Sequence, residues 1–487
     1  MRYLKKHYGL VLVILLSFWA IKPFFIQGFF PMHDDTQVAR VFEMAKVLKE
    51  GIFPVRIVPD LGYGYGYPIF NFYAPLAYYV GAAFMFLGFD ALIATKIMMA
   101  LGVVLAGIFM YFLAKEFFGK SGGLVAGLFY LYAPYHAVDI YVRGDVAEFW
   151  AYAFIPLAFL GFYKRNLLLG IIGLAGLILS HNLTAMMVAP FLLIVMLVAY
   201  CLTQKDKKPS VIYHSLSIIF LGLTVSAFYW VPALLEMKNT NVFSQIGGGA
   251  DFHINFACLA QLWDSPWGFG GSTAGCIDGL SFKIGKLHLL LSVAVLFFVL
   301  CVRKIRKSRE GSVMLFSLLG LLFSIFLTLE ISKPIWETIS LMAFFQYPWR
   351  FLILISFFSS LLAGSLVYLL KQFGIKPYLT ALFLVFFLLF FNLKLFVPQT
   401  IFSKTAEDYT NEKTLKWTVS KISDEYLPLN FEKPMSQNDV YKGKITLKGR
   451  DTFVQKASNA VSLVGLLALI PAIILMRGKT KYEQKKR

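Results

Sequence analysis

Charge is scarce in this chain. Aspartate, glutamate, lysine and arginine make up 15% of its 487 residues, while 58% are apolar or tyrosine and the mean hydropathy is +0.68. Soluble domains carry roughly a quarter charged residues, so a water-soluble fold is excluded. Cysteine is scarce as well. The four present (Cys201, Cys258, Cys276 and Cys301) are too few for a disulfide framework, and only Cys258 and Cys276 share a polar loop where one bridge could close. The sequence lacks HExxH, a CxxC pair, GxxxxGK[ST] and a strand-led GxGxxG, which removes the common zinc and nucleotide chemistries and gives no sign of cytoplasmic ATP as an energy source. Acidic residues are the rarer sign, 27 against 46 basic, for a net charge of +19. In a polar protein that excess would point to nucleic acid, but in an apolar chain basic residues sort to one face of a membrane, so no nucleic-acid partner is expected.

What is present is a series of long apolar runs. A spanning helix needs roughly 20 mostly apolar residues. Runs of about that length lie near 9–25, 91–114, 124–138, 147–163, 167–179, 185–202, 211–235, 287–302, 313–329, 351–370, 378–396 and 458–476. Basic clusters fall in alternate loops: Arg2 to Lys6, Lys115 and Lys120, Lys164 and Arg165, Lys205 to Lys208, Arg303 to Arg309, Lys371 and Lys376, and Arg477 to Arg487. The positive-inside rule places all of these in the cytoplasm. Residues 71–89 are apolar enough to count as a further span, but counting them would put the Arg303 to Arg309 cluster outside. At about 1 kcal/mol per basic residue near an anionic leaflet, that inversion is disfavoured. Residues 71–89 are therefore read as a helix lying at the outer surface or re-entering it, with Tyr73, Tyr78 and Tyr79 at the interface.

The sequence thus predicts an all-α polytopic membrane protein of about twelve transmembrane helices, both termini cytoplasmic. Residues 9–25 read as a retained anchor, because Lys22-Pro23-Phe24-Phe25 follows without a small-residue cleavage site. Three parts are expected: a transmembrane part over 1–396 with an external loop at 27–90, an external loop or small lobe over 397–457, and a last helix with a basic tail over 458–487. Within the lobe, Lys444 to Leu447 alternate like a strand, and the acids of SDEYLP read as surface charge.

The polar residues concentrate in the external loops. PMHDD places His33, Asp34 and Asp35 just past the first helix, and Val38, Val41, Ala45, Leu48 and Ile52 then recur at helical spacing. An aspartate before a helix is ordinarily an N-cap. Two adjacent carboxylates and a histidine at a membrane boundary have a second use, as a base for a hydroxyl and a ligand for a divalent metal. The second loop, DIYVRGDVAEFW, packs Asp139, Arg143, Asp145 and Glu148 into ten positions beside hydrocarbon, where charge must be paired or used. Pairs of Arg143 with Asp145 or Glu148 would close that helix hairpin. His181 lies in the next external turn, and QYPWRF brings Tyr347 and Arg350 into a span from outside. An arginine at that boundary could grip a phosphate through its planar fork, or snorkel to a lipid phosphate.

A first external loop with paired acids, surface helices, and a second acidic loop between helices three and four resembles the GT-C superfamily of membrane glycosyltransferases. More narrowly, HDD, YGYGYPIFNFYAPL, YVRGDVAEFW, the SHN turn, QYPWRF and EYLP resemble a family of bacterial and archaeal membrane proteins labelled 6-pyruvoyl-tetrahydropterin synthase-related. The pterin chemistry in that label does not carry over, since the pterin enzyme is a small soluble zinc protein and no compact histidine cluster is present here. The GT-C resemblance implies transfer of a sugar from a polyprenyl-phosphate donor in the membrane to a glycan, lipid or protein acceptor at the outer face. It implies catalytic roles for Asp34, Asp35, Asp145 and Glu148, and substrate-binding roles for His33, Arg143, His181, Tyr347 and Arg350. Asp35 would hold a divalent ion, Mg or Mn, although the pair lacks the spacer of a strict DxD. The alternatives are a flippase or transporter of lipid-linked sugars, which would carry its charges near mid-bilayer, and a non-catalytic envelope-assembly protein.

Overall fold

The computed structural model describes residues 2–485 apart from 246, 248, 249 and 448–450; of residues 2–6, 244, 245 and 472–485 only the backbone is described. The side chains of the two terminal basic clusters, Arg2 to Lys6 and Arg477 to Arg487, therefore lie outside the described residues. The protein is an all-helical, multi-pass membrane protein, and among the described residues β-structure is limited to isolated bridges.

Fourteen helices organise it: α1 (Arg2–Ile21), α2 (Gln37–Lys49), α3 (Leu76–Phe86), α4 (Ala91–Leu131), α5 (Val146–Lys164), α6 (Leu167–Ser180), α7 (Asn182–Leu202), α8 (Lys208–Val225), α9 (Ala227–Glu236), α10 (Lys286–Cys301), α11 (Arg309–Thr328), α12 (Leu352–Gln372), α13 (Pro377–Asn392) and α14 (Phe453–Lys485). Nine helical segments among the described residues are long and apolar enough to cross a membrane. The 41-residue α4 is two helices joined at Gly119, whose φ of 73° breaks the helix at a position a side chain would strain. α6 and α10, at 14 and 16 residues, are shorter apolar helices in the same bundle. At 11 residues α3 is about 16 Å long, roughly half of the hydrocarbon thickness, so it cannot span.

Burial ranks the helices. α5 and the helix entering at Pro348 have 94% of their apolar window inside the protein, against 22% for α7 and 17% for α14. The first two are the core and the others face lipid. α5 and α6 meet backbone to backbone: a Cβ on Gly161 would lie 2.3 Å from Gly170 Cα, so small residues set this contact.

One end of the bundle gathers the basic loops. Glu116 receives Lys164 at 2.6 Å and Arg309 at 3.6 Å, Arg165 reaches Thr203 at 3.0 Å, and Lys120 sits over the Tyr8 ring. The other end of α5, about 28 Å away, carries Asp145.

The segment 397–457 contains no strand among its described residues. Lys444 to Leu447 run as coil without a neighbouring strand to pair with, and Ile445 lies close to Gly66. The segment packs on the glycine-aromatic run instead: Tyr441 donates its N–H to Tyr63 O at 3.2 Å, Tyr63 N–H reaches Ser420 Oγ at 3.0 Å, and Tyr65 meets Tyr441 and Phe431. In the loop over 241–285, Cys258 and Cys276 form a disulfide.

α2 buries a polar row at three-residue spacing, Gln37, Arg40 and Glu43. Glu43 accepts the N–H of Asp60 at 3.0 Å, while its other oxygen has no partner. Burial pushes its carboxyl up to about 8, with nearby Asp60 adding to the push and Lys46 opposing it. A folded value above the ordinary 4.5 means that the folded state holds this proton more tightly. The stability that Glu43 contributes is therefore fully present below pH 4.5, is lost as pH rises towards about 8, and is level beyond that. Glu43→Gln is expected to remove this slope, so its Tm advantage over the parent grows between pH 5 and 8; superimposable Tm profiles in detergent would contradict it.

Candidate functional site

The site begins with a backbone pairing between two loops. His33 donates its N–H to Val142 O at 3.0 Å and Asp34 donates to Arg143 O at 2.9 Å. The second loop receives this pairing because residues Asp139–Arg143 form one wide π-turn, after which Gly144 turns left-handed at φ 65°. A Cβ on Gly144 would fall 2.1 Å from Met32 Sδ, so only glycine lets the first loop approach this closely. Gln37 fastens the approach by donating to Gly144 O at 2.8 Å and Asp34 O at 3.2 Å. Asp34 and Asp35 do not cap α2: the helix starts after Thr36, which makes no side-chain cap. The pair is thus free of the ordinary structural duty of acids before a helix.

Behind the pairing lies a buried charge cluster. Arg143 meets Asp139, Asp145 at 2.7 Å and Glu148 at 2.8 Å, and its guanidinium lies 4.9 Å from the Trp349 ring centre. Both pairs foreseen for this arginine are present, with Asp139 as a third. Glu148 also accepts the Tyr135 hydroxyl at 2.6 Å. Asp145 caps α5 by accepting the Glu148 N–H at 3.0 Å. Arg350 approaches from the other side, with Nε 3.4 Å from Glu148 and Nη2 4.0 Å from Asp145. Its Nη1 is spent on Phe345 O and Gln346, and its plane lies over Tyr347, which stacks on Trp349.

In front of the cluster is a cavity of about 810 Å³. Its polar end is lined by Asp34, Asp145, His181, Arg350 and Glu425; its remaining walls are largely apolar, with Leu174 and Ile178 of α6, Leu192 of α7 and Leu223 of α8 among them. Asp34 is half-buried, faces this space and has no hydrogen bond or ion pair to its carboxylate among the described residues. Burial pushes its carboxyl up to about 6, helped by the charge of Asp145 and opposed by Arg40 and Arg143. Asp145 goes the other way: burial would raise it, but Arg143, His181 and Arg350 outweigh burial and hold it at about 2. Two carboxyls of one cavity thus have environments that push them apart, the usual mark of an acid–base division of labour. Burial lowers His181, whose Nδ1 is 2.8 Å from Thr184 Oγ1, leaving Nε2 for another partner.

Among the sequence candidates, Asp34, Asp145, His181 and Arg350 share the cavity, while Arg143, Glu148 and Tyr347 stand behind it. Asp35 turns away, with its carboxylate 3.9 Å from Lys404, and His33 is exposed and reaches Phe269 O at 3.0 Å. Glu425 corrects a sequence expectation. It is cavity lining and not surface charge, because Ser423 holds its oxygens at 3.2 Å and Arg40 holds Ser423 at 3.0 Å. Arg40 had no signal beyond its place in the polar row of α2, whereas Glu425 lay in the EYLP motif.

Asp145, Glu148 and His181 bring potential ligand atoms within 4.8 Å of one another. Two carboxylates and an imidazole are a donor set for Mg, Mn or Zn. Asp145 and Glu148 set two carboxylates against the guanidinium groups of Arg143 and Arg350, and with the His181 imidazole their donor chemistry fits a divalent cation. Asp35 is not in this group.

Residues 70–246 match the model of a family described as "6-pyruvoyl-tetrahydropterin synthase related domain; membrane protein". A Lactococcus lactis subsp. cremoris (strain MG1363) protein described as uncharacterized is 27% identical over 309 residues, 59% of this chain and 48% of that protein. The chain therefore spans about half the length of that curated relative. Among solved structures, the Archaeoglobus fulgidus oligosaccharyltransferase tethered to an acceptor peptide has a TM-score of 0.50 at 15% identity, covering 91% of this chain and 61% of the enzyme. Its apo form gives a TM-score of 0.48 at 15% identity, with 96% and 65% covered. The likeness to the peptide-tethered enzyme is one of fold.

Arg143→Met is expected to destabilise the protein by roughly 3–5 kcal/mol, because it strands three buried carboxylates. Thermal unfolding in detergent checks this, and a Tm equal to the parent's would mean that the cluster is not held by that guanidinium.

Proposed function

We propose that this chain is a membrane glycosyltransferase that moves a sugar from a polyprenyl-phosphate carrier to an acceptor at the outer face. The observation that carries the reading is the two-part cavity: an uncommitted carboxylate and a guanidinium at one end, and apolar walls between lipid-facing helices along the rest. A polyprenyl tail stays in hydrocarbon while its phosphate and sugar emerge at headgroup level, so such a substrate needs this division. The basic loops gathered at the far end belong in the cytoplasm by the positive-inside rule, which leaves the termini inside and the acidic end outside. The fold of the archaeal oligosaccharyltransferase supports the same reading. In the proposed division of the chain, 1–396 forms the membrane domain, 397–457 an external cover that brings Glu425 to the site, and 458–487 the last helix and tail.

In the proposed reaction an acceptor hydroxyl attacks the anomeric carbon from the face opposite the phosphate, inverting it. The new C–O bond forms as the bond to the phosphate oxygen breaks; the electron pair leaves with the phosphate and the acceptor proton passes to Asp34. With its carboxyl raised to about 6, Asp34 is mostly ionised at pH 7 and still basic enough to take that proton. Arg350 balances charge on the departing phosphate through its planar fork. Asp145 and Glu148 keep Arg143 and Arg350 aligned, and His181 lies beside the transferring sugar. A divalent ion held by Asp145, Glu148 and His181 would add positive charge for phosphate oxygens. A flippase fits less well, because these charges collect at helix ends and not at mid-span.

Asp34→Asn is expected to lower transfer from a polyprenyl-phosphate-linked sugar in membranes by roughly 10²- to 10⁴-fold, the usual span for loss of a general base. Asp35→Asn should keep most of the activity. Undiminished transfer by correctly inserted Asp34→Asn protein would remove the catalytic assignment.

A further inference from the structure

A second cavity lies on a different side of the bundle. It is a groove of about 950 Å³ between the end of α1 and the outer half of α13. Phe386, Leu389 and Phe390 form one face of α13 along it, at spacings of three and four residues, and Trp19 of α1 faces them. Trp19, Phe386 and Phe390 are all strongly exposed, as they would be beside lipid.

The end of the groove is chemically different. Lys22 and Lys394 line it, with Gln399 and Thr400 beside them and no acidic residue in the lining. Three other lysines at this end meet a carboxylate (Lys404 with Asp35, Lys286 with Asp264 at 2.6 Å and Lys433 with Asp424 at 2.6 Å), while Lys96 donates to Ile26 O at 2.7 Å and Lys283 lies over the Trp267 ring. Neither Lys22 nor Lys394 has a carboxylate partner among the described residues. Two ammonium groups, an amide and a hydroxyl at headgroup level, above an aromatic trough one helix face wide, complement an anion carried on a hydrocarbon chain.

We propose that this groove binds an anionic phospholipid, with its phosphate at Lys22 and Lys394 and an acyl chain along Phe386, Leu389 and Phe390. The site is separate from the acidic cavity and does not depend on the transfer reaction.

The test is native mass spectrometry of the full-length, delipidated protein with phosphatidylglycerol, phosphatidylethanolamine or phosphatidylcholine of identical acyl chains. Phosphatidylglycerol should be retained in preference to the other two. The Lys22→Gln, Lys394→Gln double variant should bind it about tenfold more weakly or worse, without changing retention of the two zwitterionic lipids. Leu389→Trp, which fills the trough and leaves both lysines intact, should also lose it. Equal retention of all three lipids by the parent, undiminished phosphatidylglycerol binding by the double variant, or a lipid-free dimer closing the groove would each overturn the proposal.

Discussion

Two hydrogen bonds between the His33–Asp34 backbone and the Val142–Arg143 carbonyls fix where the acids of the first and second loops stand relative to one another. Main-chain pairing tolerates no side-chain freedom, so it sets the position of the Asp34 carboxylate relative to Asp145 more firmly than a contact between long side chains could. The pairing exists because Gly144 has no Cβ and Met32 occupies that space. It is also held from a third direction, since Gln37 of α2 bonds the same turn that α5 grows from.

The electrostatics follow from that placement. Arg143 is consumed by three buried carboxylates and thus acts as a foundation, whereas Arg350 keeps a looser reach towards Asp145 and Glu148 and faces the cavity. Asp34 lines the same cavity with no hydrogen bond or ion pair to its carboxylate among the described residues. Its burial and the repulsion from Asp145 work in the same direction, against Arg40 and Arg143, towards a carboxyl that can gain and lose a proton near neutrality. The apolar walls of α6, α7 and α8 exclude water from one side of this space, which strengthens every interaction at its polar end.

Much of this was legible in the sequence, for identifiable reasons. Apolar runs near 20 residues have one physical use, and the alternation of basic loops fixed the reading of residues 71–89 as too costly a span; α3 is indeed too short to cross. The charge cluster was visible because four charged residues in ten positions beside hydrocarbon must pair. What could not be read was which way individual carboxylates turn. Asp34 and Asp35 are adjacent and chemically alike, and only Lys404, almost 370 positions later, draws Asp35 aside. Glu425 was hidden for a related reason. A polar loop at the end of the chain reads as surface until Arg40 and Ser423 are seen to fold it inwards. The alternation at Lys444 to Leu447 misled because period two signals a strand only where a neighbouring strand can pair with it.

The most direct measurement is a cryo-EM map of the protein in a lipid nanodisc with a polyprenyl phosphate bound. The account predicts phosphate density at Arg350, beside Asp34 and Asp145, with the chain running between α6, α7 and α8. Phosphate density at another place, or loops that hold Asp34 and Asp145 in separate cavities, would contradict it.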